Sequence, residues 1–265
     1  MTHTLEDLRA RPHLSVSALK MWLACPRKFA KRYVEKADAA FTPVALPFGR
    51  AFHETFGWVL LEYQAGRGAP SPAQLDEHFR ETLSLELRLE GPPVLFEDDE
   101  DEDKLARTGA EMLAAVLDRL RRPDQILQVE LPFSLELHDP DTGEVLPLPL
   151  IGSIDAVVVV GGKVQLWELK SAKRRWSEDQ VQFDFQPTAY QRALSNTYPG
   201  LRLQLLVATK SHKPDVQIER LYRGPEDERD LLVTAASVHR AITAGCFHPV
   251  RSWACKGCEY AEQCG

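Results

Sequence analysis

The sequence has no long hydrophobic run, no apparent leader and no nucleotide-binding P-loop. Nowhere in its 265 residues is there anything close to the roughly 18 to 20 uninterrupted apolar residues of a membrane span. Residues 1–12 are polar and charged, so neither a signal peptide nor a transit sequence is predicted, and the cytoplasm is the expected location. The pattern Gly-x₄-Gly-Lys-Ser/Thr is missing, so an ATP-driven motor would have to be a separate chain.

The chain also lacks an excess of basic residues. Its formal net charge of -7 argues, taken alone, against a polyanionic partner. However, residues 97–103 are all acidic and account for the whole excess. Such a run is typical of a solvated loop, the alternative being a segment that mimics or repels nucleic acid. Basic residues cluster elsewhere, at Lys20, Arg27, Lys28, Lys31, Arg32, Lys170, Lys173, Arg174 and Arg175. Local charge therefore favours an anionic ligand.

Cysteine is scarce and unevenly distributed. Cys25 stands alone near the start, and the other four lie near the end, at Cys246, Cys255, Cys258 and Cys264. In a cytosolic chain, clustered cysteines indicate metal or redox chemistry before disulfides. Pro26 suits the first turn of a helix, so we expect Cys25 at the break between two helices.

Two apolar runs joined by Gly161-Gly162 predict a β-hairpin with a two-residue primed turn. That turn fixes the register and puts Asp155 directly opposite Glu168, with Lys170 on the same face. Opposed like charges destabilise a sheet, so folding alone gives no reason for this arrangement. A divalent cation would give one, because Mg²⁺ and Mn²⁺ prefer oxygen ligands. The alternative, an edge-strand salt bridge between Glu168 and Lys170, leaves Asp155 unexplained.

The remaining patterns predict an α/β fold. Helical patterns come first, at residues 15–24, 26–34, 48–64, 73–90 and 104–122. Besides the hairpin, strands are expected at 126–137, 201–210 and 216–222, with helices at 182–196 and 225–244. We predict a single domain with a mixed sheet flanked by helices. Its parts would be a helical lobe at 13–123, a core at 124–244 and a cysteine-bearing tail at 245–265.

The series Asp155, Glu168 and Lys170 resembles the active-site motif of the PD-(D/E)XK nuclease superfamily, with Ile154 where the motif has proline. The resemblance implies a restriction-endonuclease-like sheet and a Mg²⁺- or Mn²⁺-dependent deoxyribonuclease. It also implies that Asp155 and Glu168 bind the metal, with the carbonyl of Leu169 adding a ligand. Lys170 would assist water attack and stabilise charge that develops on the phosphate.

Two further segments resemble the RecB-like branch of that superfamily. Gly49-x-x-x-His53 resembles the helix whose histidine joins the metal site, although a helical histidine beside an apolar face is, by itself, more often a core residue. Gln186-x-x-x-Tyr190 resembles a motif on the helix after the lysine strand. Its two side chains share a helix face, where they would either touch a nucleotide or brace the site.

The cysteines resemble those of the iron–sulfur subset of this branch, which includes AddB-type helicase–nuclease subunits and CRISPR-associated RecB-like exonucleases. The resemblance implies that Cys25, Cys255, Cys258 and Cys264 hold a 4Fe-4S cluster. Tetrahedral Zn²⁺ on the same four sulfurs is the alternative. Cys246 fits no ligand position and is expected to be an ordinary thiol.

The resemblance to this branch implies an exonuclease that acts on single-stranded DNA or DNA ends. Its role would lie in DNA repair, recombination or CRISPR adaptation, with a separate helicase or CRISPR adaptation protein as partner and no membrane association. Two alternatives remain open. One is a non-catalytic DNA-binding or assembly subunit, and the other is a redox or iron sensor whose cysteines switch DNA binding.

Overall fold

The computed structural model describes residues 4–264. Its helices are α1 Leu5–Arg9, α2 Val16–Ala24, α3 Pro26–Phe29, α4 Ala45–Gln64, α5 Pro72–Arg88, α6 Glu102–Arg119, α7 Glu178–Gln182, α8 Gln186–Leu194 and α9 Pro225–Thr243. Its strands are β1 Leu14–Ser15, β2 Thr42–Pro43, β3 Val94–Leu95, β4 Gln125–Leu135, β5 Leu150–Val160, β6 Lys163–Ala172, β7 Arg202–Thr209 and β8 Val216–Leu221. A π-helical segment, Ala30–Val34, continues α3, and two 3₁₀ helices, Trp253–Gly257 and Ala261–Gln263, lie in the tail.

Six of the strands form one mixed sheet. Strand β5 pairs antiparallel with β4 and with β6, and its first residues pair parallel with β1. Strand β6 pairs parallel with β7, which pairs antiparallel with β8. β6 is thus an interior strand, so an edge-strand salt bridge does not describe Glu168 and Lys170. Strands β2 and β3 form a separate parallel pair.

The sheet lies between two helical layers. Helices α4 and α6 bury their apolar sides against one face, where Ala156, Val158 and Trp167 project, and α5 packs on these two helices. Helices α2, α8 and α9 cover the other face, with Val157 and Leu166. A mixed sheet covered on both faces confirms the predicted α/β class and is consistent with a restriction-endonuclease-like fold.

The hairpin has the predicted register next to its turn, and its two strands separate farther from the turn. Val160 pairs with Lys163 and Ala156 with Trp167, and Gly161 and Gly162 have φ angles of 58° and 71°, as a type I′ turn requires. Asp155 and Glu168 would be the next pair in this register. They do not pair through their backbones, so β5 and β6 part at the two residues that the sequence singles out.

Two helices differ from their predicted bounds. The helix expected over residues 26–34 is α-helical only to Phe29, and it then widens into the π-helical segment. The helix expected at 182–196 is the shorter α8, which has Pro187 in its first turn, and a separate helix, α7, ends at the residue where it was expected to begin. Pro187 has no N–H to donate within a helix, which explains why the helix starts there and not earlier.

The beginning of the chain meets its tail. Cys25 is extended (φ −163°) at the break between α2 and α3, as predicted. The N–H of Arg27 donates to the carbonyl of His248 (3.2 Å), and Phe29 stacks on Phe247. No helix within residues 4–264 combines the length and apolar character required to cross a membrane.

Candidate active site

Asp155 lies in the opening between β5 and β6. Its Oδ2 accepts a hydrogen bond from the backbone N–H of Leu169 (2.7 Å), and its Oδ1 lies 3.0 Å from Nδ1 of His53. Burial would raise the pKa of Asp155, but His53 and Lys170, together with the Leu169 N–H, lower it overall. Asp155 is therefore a buried carboxylate kept ionised by its neighbours.

Helix α4 carries His53 to this opening. Phe48, Phe52 and Phe56, at four-residue spacing, are buried in the core and fix the rotation of the helix. His53 stands next to this apolar face and contacts Asp155 across 102 residues of sequence. Burial would lower its pKa, but Asp155 outweighs that effect and raises it. The structure therefore brings the side chains of His53 and Asp155 together.

Glu168 and Lys170 form an ion pair on β6. Glu168 is only 1% exposed, and among residues 4–264 the Lys170 ammonium, at Oε1, is the direct polar contact of its carboxylate. Burial, followed by the Asp155 carboxylate, raises the pKa of Glu168 to about 7. Burial acts against the Lys170 charge, but Glu168 and Asp155 raise the pKa of Lys170 overall.

Gln186 and Tyr190, one turn apart on α8, hold this arrangement from the other helical layer. The Lys170 Nζ donates to Oε1 of Gln186 (2.8 Å), and the amide nitrogen of Gln186 donates to the Tyr190 hydroxyl. That hydroxyl donates in turn to the carbonyl of Ser153 on β5 (2.7 Å). Of the two roles expected for the pair, these contacts favour bracing the site.

Glu130 on β4 is a site residue that the sequence reasoning missed. The pairs Val129–Ala156 and Leu131–Ile154 put it opposite Asp155, and its φ of 50° is unusual for a residue that is not glycine. The Ser153 hydroxyl donates to its carboxylate (3.0 Å). Desolvation, and then the charge of Asp155, raise the pKa of Glu130. The sequence offers no local signal for it, because a single acid in an alternating strand is typical of a solvated face.

This donor set fits a divalent cation. Ligand atoms of His53, Glu130 and Asp155 lie within 4.8 Å of one another. The 3.0 Å between His53 Nδ1 and Asp155 Oδ1 also matches adjacent ligands of an octahedral ion with bonds of about 2.1 Å. Glu168 stands outside this group because its Oε1 pairs with Lys170, whereas its buried Oε2 has no hydrogen-bond partner among the described residues and is an available acceptor. Carboxylate oxygens with one imidazole suit Mg²⁺ or Mn²⁺.

An open cleft of about 730 Å³ contains the site. Its inner wall includes His53, Asp155, Lys170, Gln186 and Tyr190. Farther out it is lined by residues from the first part of the chain, among them Arg9, Arg32 and Tyr33. The cleft therefore combines the acidic centre with cationic and aromatic side chains, as an anionic substrate with flat rings would need.

The four predicted ligand cysteines line one small cavity. Cys25, Cys255, Cys258 and Cys264 surround a space of about 90 Å³ together with Arg27, Lys28, Lys31 and Arg251. The backbone N–H of Ser252 approaches the sulfur of Cys255 (3.5 Å). Cys246 is exposed and does not line the cavity. Four sulfurs in a basic pocket fit an anionic metal–thiolate centre.

Comparisons with known proteins bear on the fold and the family of this chain. The structure of a candidate exonuclease from Eubacterium rectale superposes with a TM-score of 0.57 and 15% identity, covering 99% of this chain and 93% of that one. A second solved structure, SSO0001, has a TM-score of 0.45 and 14% identity, with 98% and 91% covered. No curated protein matches the sequence. The family model of the PD-(D/E)XK nuclease superfamily matches residues 13–265. The chain therefore belongs to the PD-(D/E)XK nuclease superfamily.

Proposed function

We propose that this nuclease is a Mg²⁺- or Mn²⁺-dependent deoxyribonuclease of the RecB-like, iron–sulfur type, with single-stranded DNA or DNA ends as substrate. The observation that carries the proposal is the pair of buried acids, Asp155 and Glu168, at the point where β5 and β6 part. Two buried carboxylates beside a half-buried lysine cost folding energy, and a cation with a scissile phosphate would make use of all three.

The ligands of the cation would be His53, Asp155, Glu168 and the carbonyl of Leu169. A bound divalent ion would polarise the scissile phosphate and lower the pKa of water. The Leu169 N–H holds the Asp155 carboxylate in place, and Asp155 in turn keeps the His53 ring oriented. Glu168 would exchange its contact with Lys170 for the ion, which frees the Lys170 ammonium to face the substrate.

The freed ammonium would remain within reach of Gln186, which already accepts a hydrogen bond from it. Gln186 and Tyr190 would thereby aim Lys170 at the attacking water or at a phosphate oxygen, where its charge offsets the negative charge that develops. Direct contact of Gln186 and Tyr190 with DNA stays a prediction. Tyr190 is buried, which favours a positioning role for it.

The proposed reaction has a direct test. DNA labelled at either end, single- or double-stranded, is incubated with the protein in Mg²⁺, Mn²⁺ or Ca²⁺. We expect cleavage of single strands with Mg²⁺ or Mn²⁺, and the order of the products gives the polarity. Lys170→Ala should lose activity while it remains folded, whereas Lys163→Ala, at the exposed start of the same strand, should remain active. Activity that survives Lys170→Ala would contradict the mechanism, and binding without cleavage in every metal would favour a non-catalytic DNA-binding subunit.

The second part of the proposal is a 4Fe-4S cluster held by Cys25, Cys255, Cys258 and Cys264. The support for this part is that all four cysteines line one cavity together with Arg27, Lys28, Lys31 and Arg251, whose positive charges suit an anionic cluster. The same four sulfurs could bind Zn²⁺, so the metal content decides between the two. Anaerobic purification should yield a brown protein with about four iron atoms per chain, whereas a colourless, zinc-containing protein would contradict the proposal.

The RecB-like assignment suggests a place in DNA repair, recombination or CRISPR adaptation. The sequence has no P-loop, so any unwinding would come from a separate helicase, and a CRISPR adaptation protein is the other partner that we propose. Both would act in the cytoplasm. Co-purification of the protein expressed at native level, with and without nuclease treatment, separates direct partners from proteins that are joined to it through DNA.

A further inference from the structure

The cleft extends beyond the catalytic residues to Arg32 and Tyr33. Both belong to the π-helical segment Ala30–Val34, in which the N–H of Glu35 donates to the carbonyl of Ala30 (2.8 Å). π-Helical turns are rare and often occur at functional sites. Neither residue has a role in the reaction proposed above.

Tyr33 is the outermost of three aromatic rings in a row, here called the aromatic stack, in which its ring is tilted by 38° from that of Phe29. Phe247 of the tail stacks on Phe29 with ring centroids 6.4 Å apart, and Phe29 lies against Tyr33 with centroids 5.0 Å apart. Phe29 is buried, whereas Tyr33 is 39% exposed and lines the cleft. The inner rings therefore hold the Tyr33 ring in place, while part of it stays open to the cleft. A fourth flat ring could extend the stack.

Arg32 supplies a charge next to this ring. Its guanidinium carbon lies 5.9 Å from the Tyr33 ring centroid. The other cations of the segment are engaged, because Arg27 and Lys31 pair with Glu35, and Lys28 pairs with Glu259. Arg32 is exposed and forms no ion pair within 4 Å among residues 4–264. Its charge is available to an anion in the cleft.

We propose that Tyr33 and Arg32 form a nucleotide subsite for single-stranded DNA. The Tyr33 ring stacks on an unpaired base, and the Arg32 guanidinium binds a phosphate of the same strand. Stacking on aromatic side chains is how proteins bind single strands without sequence preference. A base inside a duplex has both faces covered by its neighbours, so this subsite selects single strands.

The subsite depends on the proposed nuclease function and adds a role for the cysteine-bearing segment. Phe29, which buttresses Tyr33, lies four residues after Cys25, and its stacking partner Phe247 precedes the last three cysteines. A centre that joins these cysteines would fix the aromatic stack. The metal–thiolate centre would thereby hold the Tyr33 ring in the position where it contacts the substrate.

The test compares Tyr33→Leu and Tyr33→Trp with the wild type. Leucine preserves apolar packing on Phe29 but removes the aromatic face, whereas tryptophan retains that face. Binding of a fluorescein-labelled oligothymidine and of a duplex is measured by anisotropy in Ca²⁺. We expect Tyr33→Leu to weaken single-strand binding about 5- to 100-fold and to leave duplex binding unchanged. Tyr33→Trp should restore single-strand binding. Tyr222→Leu changes a tyrosine that is more exposed (85%, against 39% for Tyr33) and lies outside the cleft, and it should bind like the wild type.

Arg32→Gln tests the phosphate contact. Loss of one contact lowers the slope of log affinity against log salt concentration by about 0.7 for a single strand. Arg107→Gln, which removes an exposed arginine from α6, is the matched control and should leave the slope unchanged. In cleavage assays with Mn²⁺, both subsite variants should raise KM with little change in kcat, because they act on binding.

The outcomes separate the subsite from the nuclease proposal. Wild-type protein that cleaves single strands, together with a Tyr33→Leu variant of unchanged KM and affinity, overturns the subsite and leaves the nuclease standing. Wild-type protein that neither binds nor cleaves any DNA overturns both. An equal loss of affinity for single strands and duplex in Tyr33→Leu also contradicts the proposal. It would show that the substitution disturbs the DNA-binding cleft as a whole and not the stacking of an unpaired base.

Discussion

The Asp155 carboxylate accepts the backbone N–H of Leu169 at the point where β5 and β6 stop pairing. Its two oxygens therefore have different partners. Oδ2 accepts the hydrogen bond from Leu169 between the two strands, and Oδ1 contacts His53. Removing the Asp155 side chain should therefore lower the free energy of unfolding more than removing only its charge. This difference can be measured directly.

Asp155→Asn and Asp155→Ala should differ in stability. Both variants lose the charge, so the difference between them isolates the hydrogen bond to Leu169. Asparagine keeps an acceptor, and we expect Asp155→Ala to be about 1 to 3 kcal/mol less stable, as for a buried donor left unsatisfied. Denaturant unfolding in EDTA measures the difference. Equal stabilities would show that the N–H of Leu169 finds another partner.

The pH dependence of stability should report Glu168. Its folded pKa is raised from 4.5 to about 7, so the folded state holds its proton more tightly than the unfolded state. The stability gained from the protonated carboxyl is fully present below pH 4.5 and is lost as the pH rises through about 7. The loss should reach about 3 kcal/mol in metal-free protein, at 1.36 kcal/mol per pKa unit.

Glu168→Gln isolates this effect, because glutamine is neutral at every pH. The free energy of unfolding of the wild type, taken relative to the variant, should fall between pH 4.5 and 7 in EDTA. Excess Mn²⁺ should reduce that fall, since a cation stabilises the carboxylate form. A difference independent of pH would mean that Glu168 has the same pKa in the folded and unfolded states, with Lys170 fully compensating its burial.

The Glu130 conformation should lower the stability of the fold, while its carboxylate should increase the affinity for metal. Its φ of 50° costs about 1 kcal/mol for any residue with a side chain, and glycine removes that cost. Glu130→Gly should therefore be about 1 kcal/mol more stable than Glu130→Gln. Both variants lose the carboxylate and should bind Mn²⁺ about 10-fold more weakly, a typical effect of removing a group beside a metal site. Mn²⁺ titration followed by electron paramagnetic resonance measures the affinity, and unchanged binding in both variants would exclude Glu130 from the site.

The hairpin shows what the sequence could predict. The Gly161-Gly162 turn sets the register, and the register predicts where Asp155 and Glu168 stand, because side chains alternate along a strand. The meeting of Cys25 with the tail and of His53 with Asp155 was expected only from the resemblance to a family. No local pattern indicates contacts over more than a hundred residues.

Two features lay beyond the sequence patterns. Glu130 reaches the site only because β4 aligns with β5, and its left-handed conformation has no signature in a strand of alternating polarity. The π-helical segment at Ala30–Val34 likewise follows an ordinary helical pattern. Both depend on packing between distant elements, and tertiary contacts override local preference at such positions.

Cysteine substitutions should separate the metal–thiolate centre from the ordinary thiol. Cys25→Ser removes one of the four sulfurs that line the cavity, and it should lower iron content and bleach the brown colour. It should also weaken single-strand binding more than it lowers kcat, because Phe29 and Tyr33 follow Cys25 directly on α3 and the π-helical segment. Cys246→Ser is the matched control, since Cys246 is exposed and outside the cavity, and it should retain iron, colour and binding. Iron loss in both variants would mean that Cys246 takes part in the centre, and iron loss in neither would remove Cys25 from it.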